Sequence, residues 1–272
     1  MKSILLHVHN HDGIDVTLQA AIRLARSCSA HLSCVHITPI ESFMAFDSFG
    51  GVFVMKDVMA AIDKADDALK ERVEKHLASE DVSWDYEQIP GHYADALVAR
   101  GALADLIVVD RGHSWGPDAT SPSLPLIGRL LQKARTPVYV VGEPRFSADP
   151  TGPIMIAWNG SFEAANAVRA AVGLLRLSSS VHVVCVNEEK PTEFPSTSLL
   201  RYLSSHDIHV EQISLTADLP LIAATLVGEA NRLSAGLLVM GGYGHSRIRE
   251  FVFGGVTREM LSHAPLPLLL SR

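Results

Sequence analysis

The order of short apolar runs along the chain repeats once, and this repeat constrains the fold more than any other feature. Residues 4–10 and 154–160 are each a short apolar run that enters a polar turn, and a helical pattern follows each of them. Three further apolar runs follow in the same order in each half, at 32–36, 104–110 and 136–141 and at 183–187, 235–241 and 266–270. Runs that are apolar without alternation are typical of strands buried on both faces of a parallel sheet. The repeat therefore predicts two α/β domains in tandem.

Helical patterns fall between the apolar runs and give the domain bounds. Apolar residues share one face at Leu18, Ala21, Ile22 and Ala25, and again at Phe162, Ala165, Val168, Val172 and Leu175. Further helices are predicted over residues 56–78, 93–103, 220–233 and 256–263. A stretch rich in Pro and Gly at 142–153 indicates the junction. We therefore expect an N-terminal domain at 1–143, a linker at 144–152 and a C-terminal domain at 153–272.

Composition argues against several classes of function. The chain of 272 residues is 47% hydrophobic with a formal net charge of −7, so it lacks the basic excess of general nucleic-acid or anionic-membrane binders. Its 3 cysteines have no C-x-x-C spacing, which favours a reducing compartment over a disulfide framework. The start has no signal-peptide pattern, and no run approaches the ~18 apolar residues of a membrane span. These features predict a cytoplasmic protein.

Two glycine clusters bracket a loop in the second half. Gly241-Gly242-Tyr243-Gly244 ends an apolar run, and Gly254-Gly255 follows after a further nine residues, directly before a helical pattern. Glycine lets the backbone approach a ligand closely, and a helix N-terminus offers free amides and a positive dipole end to an anion. The arrangement therefore predicts a phosphate or nucleotide site.

A doubly wound sheet binds its ligands beyond the carboxyl ends of its strands, where the strand order reverses. The residues expected there are the strand ends and the glycine loop, namely Trp158, Asn159, Val186, Met240, Gly241, Gly244, Gly254, Gly255, Val256 and Thr257. Thr257 can contact phosphate or a metal-bound water, or simply stabilise the first helical turn. Asn159 can bind ribose or base, or form a turn. We expect Ser161 to cap the next helix and Trp158 to pack rather than stack on adenine.

These motifs resemble those of a tandem universal stress protein. The spacing Gly241-x-x-Gly244, nine residues and Gly254 is similar to the family signature, as are Val256-Thr257 and the closing residues 263–267. The resemblance implies a Rossmann-like or flavodoxin-like five-stranded, mostly parallel sheet in each domain, with helices on both faces. It also implies ATP binding, with or without Mg²⁺, and pairing of like domains through their last strands. Two residues depart from the family pattern, since Gly255 replaces a Ser or Thr and Asn159 replaces an Asp.

The first half lacks the glycine signature. Asp110 stands where the second half has Gly241, and its charge would repel a phosphate. Pro125 stands where an amide would be needed and has none to donate. We therefore expect one nucleotide per chain, bound in the second half. Like domains can pair within the chain, or two chains can form a homodimer through exposed last strands.

Histidines are frequent at the strand ends of the first half. His7 and His9 fall on one face of the opening strand, and His36 ends the next strand. These imidazoles can meet to bind zinc or another metal, or they can be separate polar residues hydrogen-bonded at strand ends.

Three functions remain open at this point. The first is an ATP-binding regulatory protein without a dedicated substrate. The second is a slow ATPase or an adenylyl-transferring enzyme, although the sequence has no Walker lysine. The third is an interaction protein that binds no nucleotide.

Overall fold

The computed structural model describes residues 1–11, 13–39, 52–111, 123–144, 146, 149–187, 193–242 and 255–272. Its strands are β1 (Ser3–Val8), β2 (His31–Pro39), β3 (Trp84–Gly91), β4 (Leu106–Val109), β5 (Val138–Val140), β6 (Ile154–Trp158), β7 (Val181–Val186), β8 (Val210–Leu215), β9 (Leu237–Gly241) and β10 (Leu268–Ser271). Its helices are α1 (Ile14–Cys28), α2 (Val52–Leu77), α3 (Tyr93–Gly101), α4 (Ser123–Lys133), α5 (Phe162–Leu175), α6 (Ser196–Ser205), α7 (Ile222–Arg232) and α8 (Gly255–His263), with a 3₁₀ turn at Leu219–Leu221 before α7.

The described strands form one sheet of 10 strands in the order β3-β2-β1-β4-β5-β10-β9-β6-β7-β8. All neighbouring pairs are parallel except β5 and β10, which run antiparallel. Each half contributes five strands in the same relative order, and the halves meet edge to edge. This arrangement confirms the predicted fold class of two Rossmann-like halves.

Helices cover both faces of the sheet. Helices α1, α2, α5 and α6 pack on what we call the first face, and α3, α4, α7 and α8 pack on the second face. Side chains alternate between the two faces along each strand, so Ile154 and Ile156 point to the first face and Met155 to the second. The two hydrophobic layers bury the central strands almost completely.

The structure adds two strands and changes one detail of a predicted helix. The edge strands β3 and β8 lie outside the predicted apolar runs. The buried face of α5 is formed by Ala164, Ala167, Val168, Ala171, Leu174 and Leu175. Val168 and Leu175 of the predicted face are therefore confirmed, and Ala165 and Val172 pack half-buried beside them. Phe162 begins that helix and is 59% exposed, and its ring packs edge-on against Phe194.

The two halves are joined by more than the β5–β10 pair. Arg111, directly after β4, is buried and donates hydrogen bonds to the carbonyl oxygens of Ala264 and Leu266 in the other half. The amide of Glu143 donates to the carbonyl oxygen of Pro265 at 2.8 Å. The last strands of the two halves, β5 and β10, pair with each other in the middle of the sheet, so neither of them is an edge strand.

The strand order reverses at two places, between β1 and β4 and between β6 and β9. Strand register makes the two places directly comparable, because Ile4 pairs with Leu106 as Ile154 pairs with Leu237. By this correspondence His7 matches Ala157, His9 matches Asn159 and Asp110 matches Gly241. We call these two places the first and second crevice, after the half in which each lies.

Candidate functional site

A cavity of about 260 Å³ opens at the second crevice, beyond the carboxyl ends of β6, β7 and β9. Its lining residues are Ala157, Trp158, Asn159, Ser161, Val184, Val186, Ile222, Leu226, Met240, Gly241, Gly255, Val256 and Thr257. This is the volume enclosed by the described residues alone. It lies just below the range of about 300–1,000 Å³ that is typical of small-molecule pockets.

Most residues predicted for the nucleotide site line this cavity. They are Trp158, Asn159, Val186, Met240, Gly241, Gly255, Val256 and Thr257. Gly244 and Gly254 lie outside the described residues. Sequence reasoning missed Ala157, Val184 and two residues of α7, Ile222 and Leu226. The apolar pattern of residues 220–233 predicted that helix, but not that its first turns face the cavity.

The lining of the cavity combines apolar side chains with the N-terminus of a helix. Val184, Leu226 and Met240 belong to the hydrophobic layer of the second face. The N-terminus of α8 contributes Gly255, Val256 and Thr257 to the lining. The first amides of a helix have no partners within the helix, so they are available to a ligand. The cavity therefore offers a surface for a flat apolar group beside a site for an anion.

The two glycines that line the cavity have different physical reasons to be glycine. A Cβ at Gly241 would lie 2.7 Å from the amide nitrogen of Ala164, because the first turn of α5 crosses directly over the end of β9. A Cβ at Gly255 would have no described atom within 4 Å. Gly241 is thus required by packing, whereas no described residue restricts a side chain at Gly255.

The turn after β6 uses two of the polar side chains at the cavity. The Asn159 Oδ1 accepts a hydrogen bond from the Ser161 amide at 3.2 Å. The Ser161 hydroxyl accepts from the Ala164 amide at 3.2 Å, which confirms Ser161 as the N-cap of α5. Of the two roles predicted for Asn159, the turn is observed and ligand binding stays a prediction.

Trp158 borders the cavity, but its side chain belongs to the core. It is buried in the hydrophobic layer of the first face, whereas the cavity lies against the second. The alternation of side chains along β6 places Ala157, not Trp158, toward the cavity. The packing role expected for Trp158 is therefore the observed one. Its indole Nε1 has no hydrogen-bond partner among the described residues.

The first crevice contains a different set of side chains. The ligand atoms of His7, His9 and Asp110 all lie within 4.8 Å of one another. The Nε2 of His9 is 3.5 Å from a carboxylate oxygen of Asp110, and the rings of His7 and His9 stack with centroids 4.9 Å apart. Sequence reasoning missed Asp110 as a partner of these histidines because it lies about a hundred positions away, on the neighbouring strand.

His36 is not part of the cluster formed by His7, His9 and Asp110. Strand alternation turns His36 toward α2 on the first face, whereas His7 and His9 belong to the second. The Nδ1 of His36 is 3.0 Å from the Tyr86 hydroxyl, and its Nε2 is 3.4 Å from Asp66. Burial lowers the pKa of His36, and the Asp66 carboxylate opposes that shift.

Burial also decides the charge of His7. It lowers the pKa of His7 well below the usual value for an imidazole, and the nearby His9, His36 and His11 lower it further. A neutral imidazole keeps a lone pair on one ring nitrogen at neutral pH.

Known proteins share both a sequence family and a fold with parts or all of this chain. Residues 151–272 match the model of the universal stress protein family. A universal stress protein from Archaeoglobus fulgidus DSM 4304 has a TM-score of 0.77 at 14% identity, with 99% of this chain and 97% of that chain covered. A functionally unknown protein from Pseudomonas aeruginosa PAO1 has a TM-score of 0.61 at 16% identity, with 100% and 92% covered. The cytoplasmic domain of a prokaryotic cation chloride cotransporter has a TM-score of 0.50 at 11% identity, with 99% and 94% covered.

Residues 151–272 therefore match the universal stress protein family, and the whole chain shares its fold with these solved structures. Comparison with curated proteins gave no match. In the part of the chain that the structure describes, no helix is long and apolar enough to cross a membrane.

Proposed function

We propose that this chain is an ATP-binding regulatory protein with a single nucleotide site in the second crevice. The observation that carries the proposal is the cavity at the second crevice, where the N-terminus of α8 at Gly255 lies together with apolar side chains of β7, β9 and α7. The match of this half to the universal stress protein family supports an adenine nucleotide as the ligand.

The proposed binding mode follows the two ends of the cavity. The adenine ring lies against Val184, Leu226 and Met240, where its planar apolar faces are shielded from water. The phosphates lie at the N-terminus of α8, where free amides and the helix dipole favour negative charge. The hydroxyl of Thr257 donates to a phosphate oxygen or holds a water on Mg²⁺, which would supply further charge neutralisation.

The described lining favours binding over turnover. It contains no carboxylate, lysine or histidine that could activate a water for attack on a phosphate. Thr257 and Ser161 are its hydroxyl groups, and Ser161 already caps α5. We therefore expect ATP to be held with negligible hydrolysis, as suits a regulator whose nucleotide state controls partner binding.

The test is calorimetric titration of the full-length chain with ATP and Mg²⁺, beside two variants at one position. Gly255→Glu places a negative charge at the anion end of the cavity, yet it has room and suits the first turn of a helix. Gly255→Ser restores the hydroxyl found at this place in the family pattern. We expect about one ATP per chain in the parent, none in Gly255→Glu and retained binding in Gly255→Ser.

Circular dichroism of both variants controls for folding. Binding that survives Gly255→Glu unchanged would place the nucleotide elsewhere on the chain. A parent that binds neither ATP, ADP nor AMP at millimolar concentration would favour the interaction protein that binds no nucleotide.

A further inference from the structure

The first crevice holds a cluster that the proposed nucleotide site does not use. His7 lies at the end of β1, His9 one residue beyond that strand, and Asp110 directly after β4. The two strands are parallel neighbours, so their carboxyl ends bring these residues together. His7 and Asp110 are both buried, and the His9 side chain is 27% exposed.

His7 has an unusual environment for a polar side chain. It is 3% exposed, and neither ring nitrogen has a hydrogen-bond partner among the described residues. A buried donor or acceptor without a partner is unfavourable, since it has lost its water and gained nothing. A metal ion bound at one ring nitrogen would supply a partner that the described residues do not provide.

We propose that the first crevice binds one zinc-class divalent cation through His7, His9 and Asp110. Two imidazoles and a carboxylate form a ligand set that zinc accepts, with the fourth tetrahedral position left to water. Zinc bonds of about 2.0–2.1 Å in a tetrahedron put neighbouring ligand atoms about 3.3 Å apart. The three groups lie within 4.8 Å of one another, so small side-chain rotations close the site.

Neighbouring aromatic rings hold the two imidazoles in place. His11 stacks on His9 with centroids 4.4 Å apart, and Tyr93 contacts His7 edge-on at 5.4 Å. The His11 Nδ1 accepts a hydrogen bond from the Gly13 amide at 3.1 Å, which fixes that ring in the turn before α1. Packing of this kind restricts the rotations available to His7 and His9, so less freedom is lost when an ion binds.

The second half supplies the substitutions for the test. His7→Ala, His9→Asn and Asp110→Gly each introduce the residue found at the matching position of the second crevice, where that backbone folds around Ala157, Asn159 and Gly241. The matched control is His209→Ala, which removes an exposed histidine from the other half of the chain.

The measurement is Zn²⁺ titration of the full-length, chelator-treated chain in competition with a chromogenic chelator, with metal content determined by mass spectrometry after dialysis. We expect about one Zn²⁺ per chain in the parent and in His209→Ala. Each ligand variant should lose at least about 100-fold in affinity, because loss of an outer-shell partner alone typically costs 10- to 100-fold. Co²⁺ should give a visible absorption band in the parent that disappears in the variants.

Circular dichroism reports whether each variant folds. If His7→Ala does not fold, the partly exposed His9→Asn still provides the test. A parent that takes up no Zn²⁺ at micromolar concentration would overturn the proposal. So would folded His9→Asn and Asp110→Gly chains that bind Zn²⁺ as tightly as the parent, because the ion would then lie elsewhere.

Discussion

The two crevices lie at matching places in the strand order but carry different side chains at three matched positions. The first presents His7, His9 and Asp110, and the second presents Ala157, Asn159 and Gly241 at the matching positions. The first is therefore rich in nitrogen and oxygen ligands, which suit a cation. The second is apolar and ends at a helix N-terminus, which suits a base and an anion.

The two halves differ in the length of the turn between the first strand and the first helix, and this helps to explain why their crevices carry different side chains. In the second half, α5 begins at Phe162, and its first turn approaches Gly241 so closely that a Cβ would clash. In the first half, α1 begins at Ile14, two residues later than the corresponding position. We infer that the longer turn leaves room for the Asp110 side chain and for His9 and His11. A repeat can thus change its chemistry without changing its sheet.

The largest predicted effect concerns the stability that the protein gains from a buried contact between the two halves, next to the first crevice. Arg111 follows Asp110, and its buried guanidinium donates to two carbonyl oxygens of the other half. Burial lowers the pKa of Arg111 to about 10, so it remains charged at neutral pH. Arg111→Leu should lower the free energy of unfolding by about 3 kcal/mol, because each hydrogen bond from a charged donor contributes roughly 1.5–3 kcal/mol. Urea unfolding at pH 7 measures this.

Arg272 provides the control for that experiment. It also crosses between the halves, donating to the carbonyl oxygen of Gln132 at 2.6 Å, but it is exposed. Arg272→Ala should therefore cost well under about 1 kcal/mol. Equal losses in the two variants would mean that the buried contact adds nothing special, and that the halves are held by strand pairing alone.

The central strands could be predicted from sequence, whereas the edge strands could not. β4 and β9 are nearly continuous apolar runs because both of their faces are buried. In β3 and β8 half-buried residues are interspersed with exposed ones such as Asp85 and Glu211, so neither strand forms an apolar run. Their existence followed only from the family resemblance.

The sequence predicted site residues better where they are neighbours in the chain than where they come from distant segments. Gly255, Val256 and Thr257 are adjacent, and their place before a helix indicated an anion site. The contact of Asp110 with His9 depends on strand order, which no local pattern contains. Equally, Gly241 was expected to offer its amide to phosphate, while the structure gives it a packing reason.

The second prediction separates the two glycines of the second crevice. Gly241→Ala should cost about 1–3 kcal/mol, because its Cβ would press against the backbone of α5 and force a shift. Gly255→Ala should be neutral or stabilise by up to about 1 kcal/mol, since its Cβ has space and the unfolded chain loses freedom. Urea unfolding of both variants measures the difference. Similar stabilities would show that α5 can move away from β9 at little cost.

The third prediction strengthens the second crevice without disturbing the first. Gly255→Ser adds a hydroxyl at the helix N-terminus that lines the cavity, where the new Cβ meets no described atom within 4 Å. If phosphate lies there, one added hydrogen bond of about 1 kcal/mol should tighten ATP binding by roughly 5-fold. Calorimetry with ATP measures the gain, and Zn²⁺ affinity serves as the control that should not change. A weaker ATP affinity in a folded Gly255→Ser chain would mean that the ligand approaches the glycine backbone itself.

The smallest predicted effect concerns an ion pair that the second half has and the first lacks. Arg232 donates to both carboxylate oxygens of Glu229 on α7, whereas Val98 and Gly101 hold the matching positions of α3. This bond lowers the pKa of Glu229, so its stabilisation is complete above the unfolded pKa and is lost as pH falls through the folded pKa. Arg232→Ala should therefore lower the melting temperature by about 1 °C at pH 7, a small shift because Arg232 is exposed.

That difference should shrink toward zero below the lowered pKa of Glu229, where the carboxyl group is protonated in both the folded and the unfolded chain. Melting curves of the parent and of Arg232→Ala between pH 7 and pH 3 measure it, with exposed Arg201→Ala as the control for loss of one positive charge. A deficit that persists unchanged at the acid end, or an equal one in Arg201→Ala, would attribute the effect to general charge. In that case the asymmetry between α7 and α3 would have no part in stability, and the functional difference between the halves would rest on the crevices alone.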